Sequence, residues 1–441
     1  MKGQVRWGVL ATLLASTIAG CGGGSPQTGA GTAGHGGAGA GASGRGGHGA
    51  AAGAAGSQAG SSGGGPTDAG GDDAAGSDAG DGGAPDVPPG APGTWAPVRR
   101  TAVWPPADSS AVLVHDSARN VLLLLGAGYQ PEDPLDTWEF DLATSTWTNR
   151  LPSPAPARAA WPRNRAAFAA AYDSQRGRTL IFGGTNFYYY DDLWEWDGSS
   201  GAWTTLTPTP RPASWPVFRY GVAGAYDSDR GKFVVFAGQG RSATTPDYVL
   251  YNELWEWDAG TSTWTNRTPD PLPASWPGAR EGHSMIYDAD RKRAVVFGGD
   301  ASTSPSLRPA RLAELWEWDG AAGSWRDRTP LNLSAAVWPP ARMSAAAAYI
   351  PARSSLLVAD GYDAYGPMRD VWEWSVGTGA WTNRTPSPTS TDAWPSERSG
   401  SGCVFVPALN RVFLYGGTGS SGNGIGKLDD FWTWQPPDPG P

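Results

Sequence analysis

Asp192-Leu193-Trp194-Glu195-Trp196-Asp197-Gly198-Ser199-Ser200-Gly201-Ala202-Trp203 reads as a strand with an aromatic-x-aromatic pair, then a turn and a strand centred on a lone tryptophan. The first half recurs every 56 to 61 residues, as Trp138-Glu139-Phe140, Trp255-Glu256-Trp257, Trp316-Glu317-Trp318, Trp372-Glu373-Trp374 and Trp432-Thr433-Trp434. The lone tryptophan recurs as Trp147, Trp264, Trp325 and Trp381. A third marker, Trp-Pro, stands at Trp104, Trp161, Trp215, Trp276, Trp338 and Trp394. With Trp7 and Trp95 these positions account for all 24 tryptophans of the 441-residue chain. A fixed period of this kind marks a repeat architecture.

Each period holds four strand-like runs. In the second they are 166–172, 178–182, 192–197 and 202–206, with a tight turn at 173–177 and Gly183-Gly184 closing the second run. Polar and apolar residues alternate weakly along them, as expected when both faces of every sheet are covered. Four short strands per period predict a β-propeller blade. The last repeat lacks its outer-strand tryptophan, whereas Gly93-Thr94-Trp95-Ala96-Pro97-Val98 matches Ser145-Thr146-Trp147 and Ser262-Thr263-Trp264. The expectation is an all-β, six-bladed propeller of four-stranded antiparallel blades over 93–436, closed by the N-terminal strand joining the last blade, with a disordered tail at 437–441.

These residues also carry a family resemblance. Phe182-Gly183-Gly184, Phe297-Gly298-Gly299, the strand start Asp192-Leu193-Trp194, Arg280-x-Gly282-His283-Ser284 and the spaced tryptophans resemble kelch repeats of the galactose oxidase central-domain-like superfamily. The resemblance implies the propeller fold and is nearly silent on activity, since propellers host many functions.

The N-terminus has another character. Lys2 and Arg6 precede a short apolar run, Trp7 to Ile18, which reads as a secretory signal over 1–20. Ile18-Ala19-Gly20-Cys21 resembles a bacterial lipobox, which implies a lipid on Cys21 and a membrane partner; Gly22 after it points to the outer membrane of a Gram-negative envelope. An ordinary signal peptide cut elsewhere is the alternative. Residues 21–92 are almost wholly Gly, Ala, Ser and Asp and have nothing apolar to bury, so a disordered, lipid-anchored linker is expected. As a Gly-rich coil it would reach about 45–50 Å.

The net charge of −9 argues against a nucleic-acid partner, which needs a basic face. Of the two cysteines, Cys403 lies in the apolar run 403–406 and reads as a small buried core residue. In the folded region only His115 and His283 are histidines, so a copper site like that of galactose oxidase is not expected, nor any other metal or cofactor.

Two residue sets invite a functional reading. Arg165, Arg219, Arg280, Arg342 and Arg398 each follow a Trp-Pro pair, but the first repeat has Asp108 there. They could ring the channel mouth and bind anions, yet the only repeat with no Glu between its aromatics has Thr433. Inter-blade pairing of Glu139, Glu195, Glu256, Glu317 and Glu373 with the arginine opening the next blade explains both losses, because either charge left alone in a buried seam is costly. The second set lies in the loops joining second and third strands: Tyr188, Tyr189, Tyr190, Arg241, Tyr248, Tyr251, Arg308, Arg311, Tyr362 and Tyr365. Long loops on a rigid scaffold concentrate function, and Tyr and Arg anchor interfaces. The alternative is that these tyrosines merely pack the loops onto the rim.

A surface binding or scaffolding module for protein or glycan, acting as a monomer, is favoured. The alternative is a carbohydrate-active enzyme on the loop face, mutarotase-like or hydrolytic, with Asp191, Asp247, Asp300 and Asp363 as candidate acids; turn-forming Asp is the commoner reading.

Overall fold

The computed structural model describes residues 93–126, 133–241, 248–303, 309–334, 337–386, 394–421 and 424–437. Among them are six four-stranded antiparallel sheets, consistent with a β-propeller. Five follow chain order, as in Ala169–Asp173, Arg178–Phe182, Leu193–Asp197 and Ala202–Thr205 of the second. The sixth takes Gly402–Val406, Arg411–Tyr415 and Phe431–Gln435 from the C-terminal end and its outer strand, Thr94–Pro97, from the N-terminal end.

The aromatic markers set the register. Trp196 stands opposite Trp203, Trp257 opposite Trp264, Trp318 opposite Trp325 and Trp374 opposite Trp381. Phe140 faces Trp147 in the first sheet, and in the sixth Trp95 faces Trp434, so the borrowed strand occupies the slot its sequence matches. Ring centroids lie 5.0 to 5.6 Å apart in four of these pairs, within the range of favourable aromatic contact.

Second strands such as Val121–Gly126 and Ser355–Ala359 are buried throughout, which explains the weak alternation: both faces carry apolar side chains because both meet another sheet. The buried apolar residues form six clusters, five of them drawn from two sheets consecutive in this order. The other joins Phe413, Tyr415 and Phe431 of the sixth sheet to Leu122, Leu124 and Phe140 of the first.

The Trp-Pro tryptophans act as staples between consecutive sheets. Each indole N–H donates to a carbonyl just before the third strand of the preceding sheet: Trp161 to Leu135, Trp215 to Asp191, Trp276 to Asn252, Trp338 to Ala313 and Trp394 to Arg369, at 2.6 to 2.9 Å. Trp104 does the same with Asp429 of the sixth sheet, at 2.6 Å. Cys403 is half-buried against the fifth and sixth sheets rather than a fully buried core residue, and its strand is an edge strand of its sheet. The expected signal peptide, Cys21, the linker and residues 438–441 lie outside the described residues.

Candidate functional site

The arginine set is bound into the scaffold, though not as its spacing implied. Glu139 does not meet Arg165, and none of the four equivalent pairs forms. Arg165 instead pairs with Asp192, Arg219 with Glu253, Arg280 with Glu314, Arg342 with Asp370 and Arg398 with Asp430, at 2.5 to 2.7 Å and within one repeat each. Each guanidinium is fully buried and also donates to a carbonyl at the end of the second strand, as Arg165 does to Gly183. The same carboxylate accepts the indole N–H of the tryptophan two residues on, as Asp192 does from Trp194. Burial pushes the Asp192 carboxyl up, but the Arg165 charge and hydrogen bonds hold it below the ordinary range. The partner is level with the arginine, at the start of the third strand, whereas the expected Glu lies three residues, or about 10 Å, further down that strand.

There the glutamates join a second layer. Arg119, Arg176, Arg230 and Arg291 in the first turn each bind an Asp three residues earlier and then the third-strand Glu139, Glu195, Glu256 or Glu317. Glu373 is held by Arg353 and Arg384. In the sixth sheet Thr433 replaces Glu, and Leu409 and Val98 stand where Arg353 and Arg384 would be. In this layer the acid and its bases are lost together. The arginine replaced by Asp108 leaves its own acid, Asp136, in place, so the two losses expected to be coupled are separate.

The first sheet breaks the clamp. Asp108 occupies the arginine position, so Asp136 faces carboxylates: burial, then Asp108 and Asp133, push its carboxyl up to about 6. The indole nitrogen of Trp138, whose counterparts bond the clamp acid, is buried with no partner among the described residues.

Above these clamps lies the loop face. The ribbons Thr185–Asn186/Tyr188–Tyr189 and Gln239–Arg241/Tyr248–Leu250 rise side by side from the second and third sheets. They bring Tyr189, Arg241 and Tyr248 together. The Arg241 guanidinium lies 5.3 Å from the Tyr189 ring and 5.7 Å from Tyr248, and the two phenols are 3.4 Å apart. Burial and then Tyr248 push the Tyr189 hydroxyl up to about 12. Phe218 and Tyr220 flank the Tyr189 ring, each at 5.6 Å. Tyr188 and its neighbour Phe187 stand out at the tip, 52% and 50% exposed.

Other expected site residues are distributed differently. Tyr190 and Tyr251 cover clamp arginines, with Arg165 4.1 Å and Arg219 4.6 Å from their rings, so these two pack the scaffold. Arg311 pairs with Asp300 and lies 5.8 Å from Tyr362. Tyr365 is 97% exposed and apart from the cluster, and Arg308 lies outside the described residues. Asp191 binds Arg211, Asp363 caps a turn through the Tyr365 and Gly366 N–H groups, and Asp247 is not among the described residues.

Beneath the loops a chain of backbone bonds crosses from sheet to sheet. Gly221 donates to Ala167, Gly282 to Gly221, Ser344 to Gly282 and Gly400 to Ser344, at 2.6 to 2.9 Å. Immediately before these residues stand Ala166, Tyr220, Glu281, Met343 and Ser399. Tyr220, Glu281, Phe218 and Gln239 were missed in the sequence; the signal for Tyr220 and Glu281 is a slot that holds five residue types in six repeats while its flanks recur.

His283 is buried beside Phe236 with neither ring nitrogen bonded among the described residues; burial, then Arg280, lowers its pKa to about 3. Among the described residues no group of three or more His, Cys, Asp or Glu side chains could hold a metal ion.

No family model matches the chain. Kelch domain-containing protein 10 of Xenopus tropicalis is 23% identical over 330 residues, which cover 71% of this chain and 72% of that protein. The Homo sapiens protein of the same name is 24% identical, over 71% of this chain and 66% of its own length. Mei4-dependent protein 6 of Schizosaccharomyces pombe is 21% identical over 47% of this chain and 39% of its own. With the recurring Phe-Gly-Gly, Asp-Leu-Trp and tryptophan markers, these likenesses support a kelch-repeat family for this chain.

Proposed function

We propose that the six sheets are the blades of one closed ring, and that its loop face is a protein-binding surface whose centre is Tyr189, Arg241 and Tyr248. Two observations support closure: the last strand pairs with the first, and the Trp104 staple reaches the sixth sheet as its counterparts reach their own predecessors. The observation that carries the binding reading is the arginine stacked between tyrosines from two adjacent ribbons, flanked by the exposed Phe187 and Tyr188. Aromatic and arginine side chains held rigid at low entropic cost are the usual anchors of protein interfaces. The backbone chain under the loops favours a ligand lying across the face over one entering a deep pocket, and nothing favours the enzyme reading.

We further propose that Cys21 carries a lipid and that 22–92 tethers the propeller to the cell envelope; the lipobox-like residues are the support for it. Affinity capture by the full chain and by a Tyr189→Ala/Arg241→Ala variant tests the surface. Loss of the same captured proteins from the variant is expected. Full retention, or binding to glycans alone, would overturn the reading. Incorporation of labelled palmitate that disappears in Cys21→Ala is expected for the anchor, and label retained in that variant would refute it.

A further inference from the structure

Glu281 departs from its repeat in a way that the scaffold does not use. Its counterparts are Ser109, Ala166, Tyr220, Met343 and Ser399, none of them charged. It is 7% exposed, and its carboxylate has no hydrogen bond or ion pair among the described residues. The carboxylate lies in a notch that only glycine leaves, because a Cβ on Gly221 would come within 2.9 Å of Glu281 Oε2. Among the described residues the neighbouring charges are engaged: Arg280 is clamped to Glu314, Arg311 pairs with Asp300, and Asp363 caps its turn. His283 is held neutral near pH 7. Among the described residues Glu281, Asp300 and Asp363 thus outnumber Arg311 on this side of the face.

A carboxylate left bare at the mouth of a binding face costs the protein desolvation with no internal return. We propose that Glu281 is the seat for a basic side chain, lysine or arginine, of a protein partner. This inference rests on the reading of the loop face as a protein-binding surface. The stem of such a side chain would lie against Tyr220 and Met343 while its charged end meets the carboxylate. An anionic partner would instead meet Glu281 head on, and the nearest cations are already engaged by Asp300 and by two tyrosine rings. Burial, countered by Arg311, holds the Glu281 carboxyl up to about 7, so an arriving cation displaces a proton.

The test is to pan the full chain at pH 8 against a random decapeptide library, and to measure the selected peptides on wild type, Glu281→Gln, Glu281→Asp and Tyr189→Ala/Arg241→Ala. The expected peptides carry Lys or Arg, lose about tenfold in affinity when it becomes Gln, and bind about tenfold more weakly at pH 6 than at pH 8. Glu281→Gln should remove both dependences and, because it relieves a buried carboxylate of its desolvation cost, should melt no lower than wild type at pH 8 and somewhat higher; Glu281→Asp should keep the pH dependence. Peptides that need Tyr189 and Arg241 but no basic residue would overturn the cation seat and leave the binding surface standing. No selected peptide, or binding indifferent to both sites, would overturn the two together.

Discussion

Replacing Asp108 should reverse the acid–base behaviour of the first sheet. Asp136 is raised from 3.8 to about 6, so between those values the folded protein binds more protons than the unfolded chain. Stability from this group is therefore fully present below pH 3.8 and is lost as pH rises towards 6. The shift of about two units corresponds to about 2–3 kcal/mol of destabilisation at pH 7, to order of magnitude. Asp108→Asn removes one source of repulsion but leaves the burial, so about 1 kcal/mol should return at pH 8. Asp108→Arg rebuilds the clamp of the other five sheets, with Gly126 in the place of Gly183 as carbonyl acceptor, and should return about 2 kcal/mol. It should also turn the slope over, since a clamped Asp136 would lose stability as pH falls. Urea denaturation of the full chain at half-unit steps from pH 4 to 8 measures this, and differences from wild type isolate the site because Glu281 and Asp360 titrate in the same direction in every protein. The reasoning fails if Asp108→Arg is less stable than wild type at pH 8, or if all three proteins share one pH slope.

Other perturbations test other parts of the scaffold. His283→Phe places the residue of the equivalent Phe168 position in the seam; because the folded His283 pKa is depressed, wild type should lose about 2 kcal/mol between pH 7.5 and pH 5 that the variant keeps. Arg280→Ala should cost about 3 kcal/mol or more in urea denaturation, since Glu314 and the Gly298 carbonyl lose a fully buried donor, whereas Arg326→Thr, which adopts the residue of four other repeats, should stay within about 0.5 kcal/mol. Trp95→Ala should cost about 3–5 kcal/mol and sharply increase proteolysis of the terminal strands; unchanged protection would argue against a latch.

The repeat count and the borrowed outer strand were legible because each marker residue has one job in every repeat, and the match of Trp95 to Trp147 survived being moved to the far end of the chain. The charge network was only half legible. Glu139 and Arg165 are both repeated features, so the loss of each could be seen, but depth along the strand could not. Asp192 beside Trp194 was the overlooked clue, an acid that recurs two residues before a tryptophan. In the loops, residue type failed to separate Tyr190 and Tyr251, which roof over buried arginines, from Tyr189 and Tyr248, which hold Arg241 at the surface. Glu281 was hidden inside a kelch-like Arg-x-Gly-His string that drew the eye to its neighbours.

The pairing of Thr94–Pro97 with Phe431–Gln435 also constrains how the molecule comes into being. Among the described residues the earliest strand to leave the ribosome has the last as its partner, over 330 residues later. Five sheets can form as they emerge, but the sixth must wait until Phe431–Gln435 has been made, an extreme case of non-local contact. A chain cut short before Phe431 would leave Thr94–Pro97 and one edge of Arg411–Tyr415 without the strand that joins them, and such edges invite aggregation.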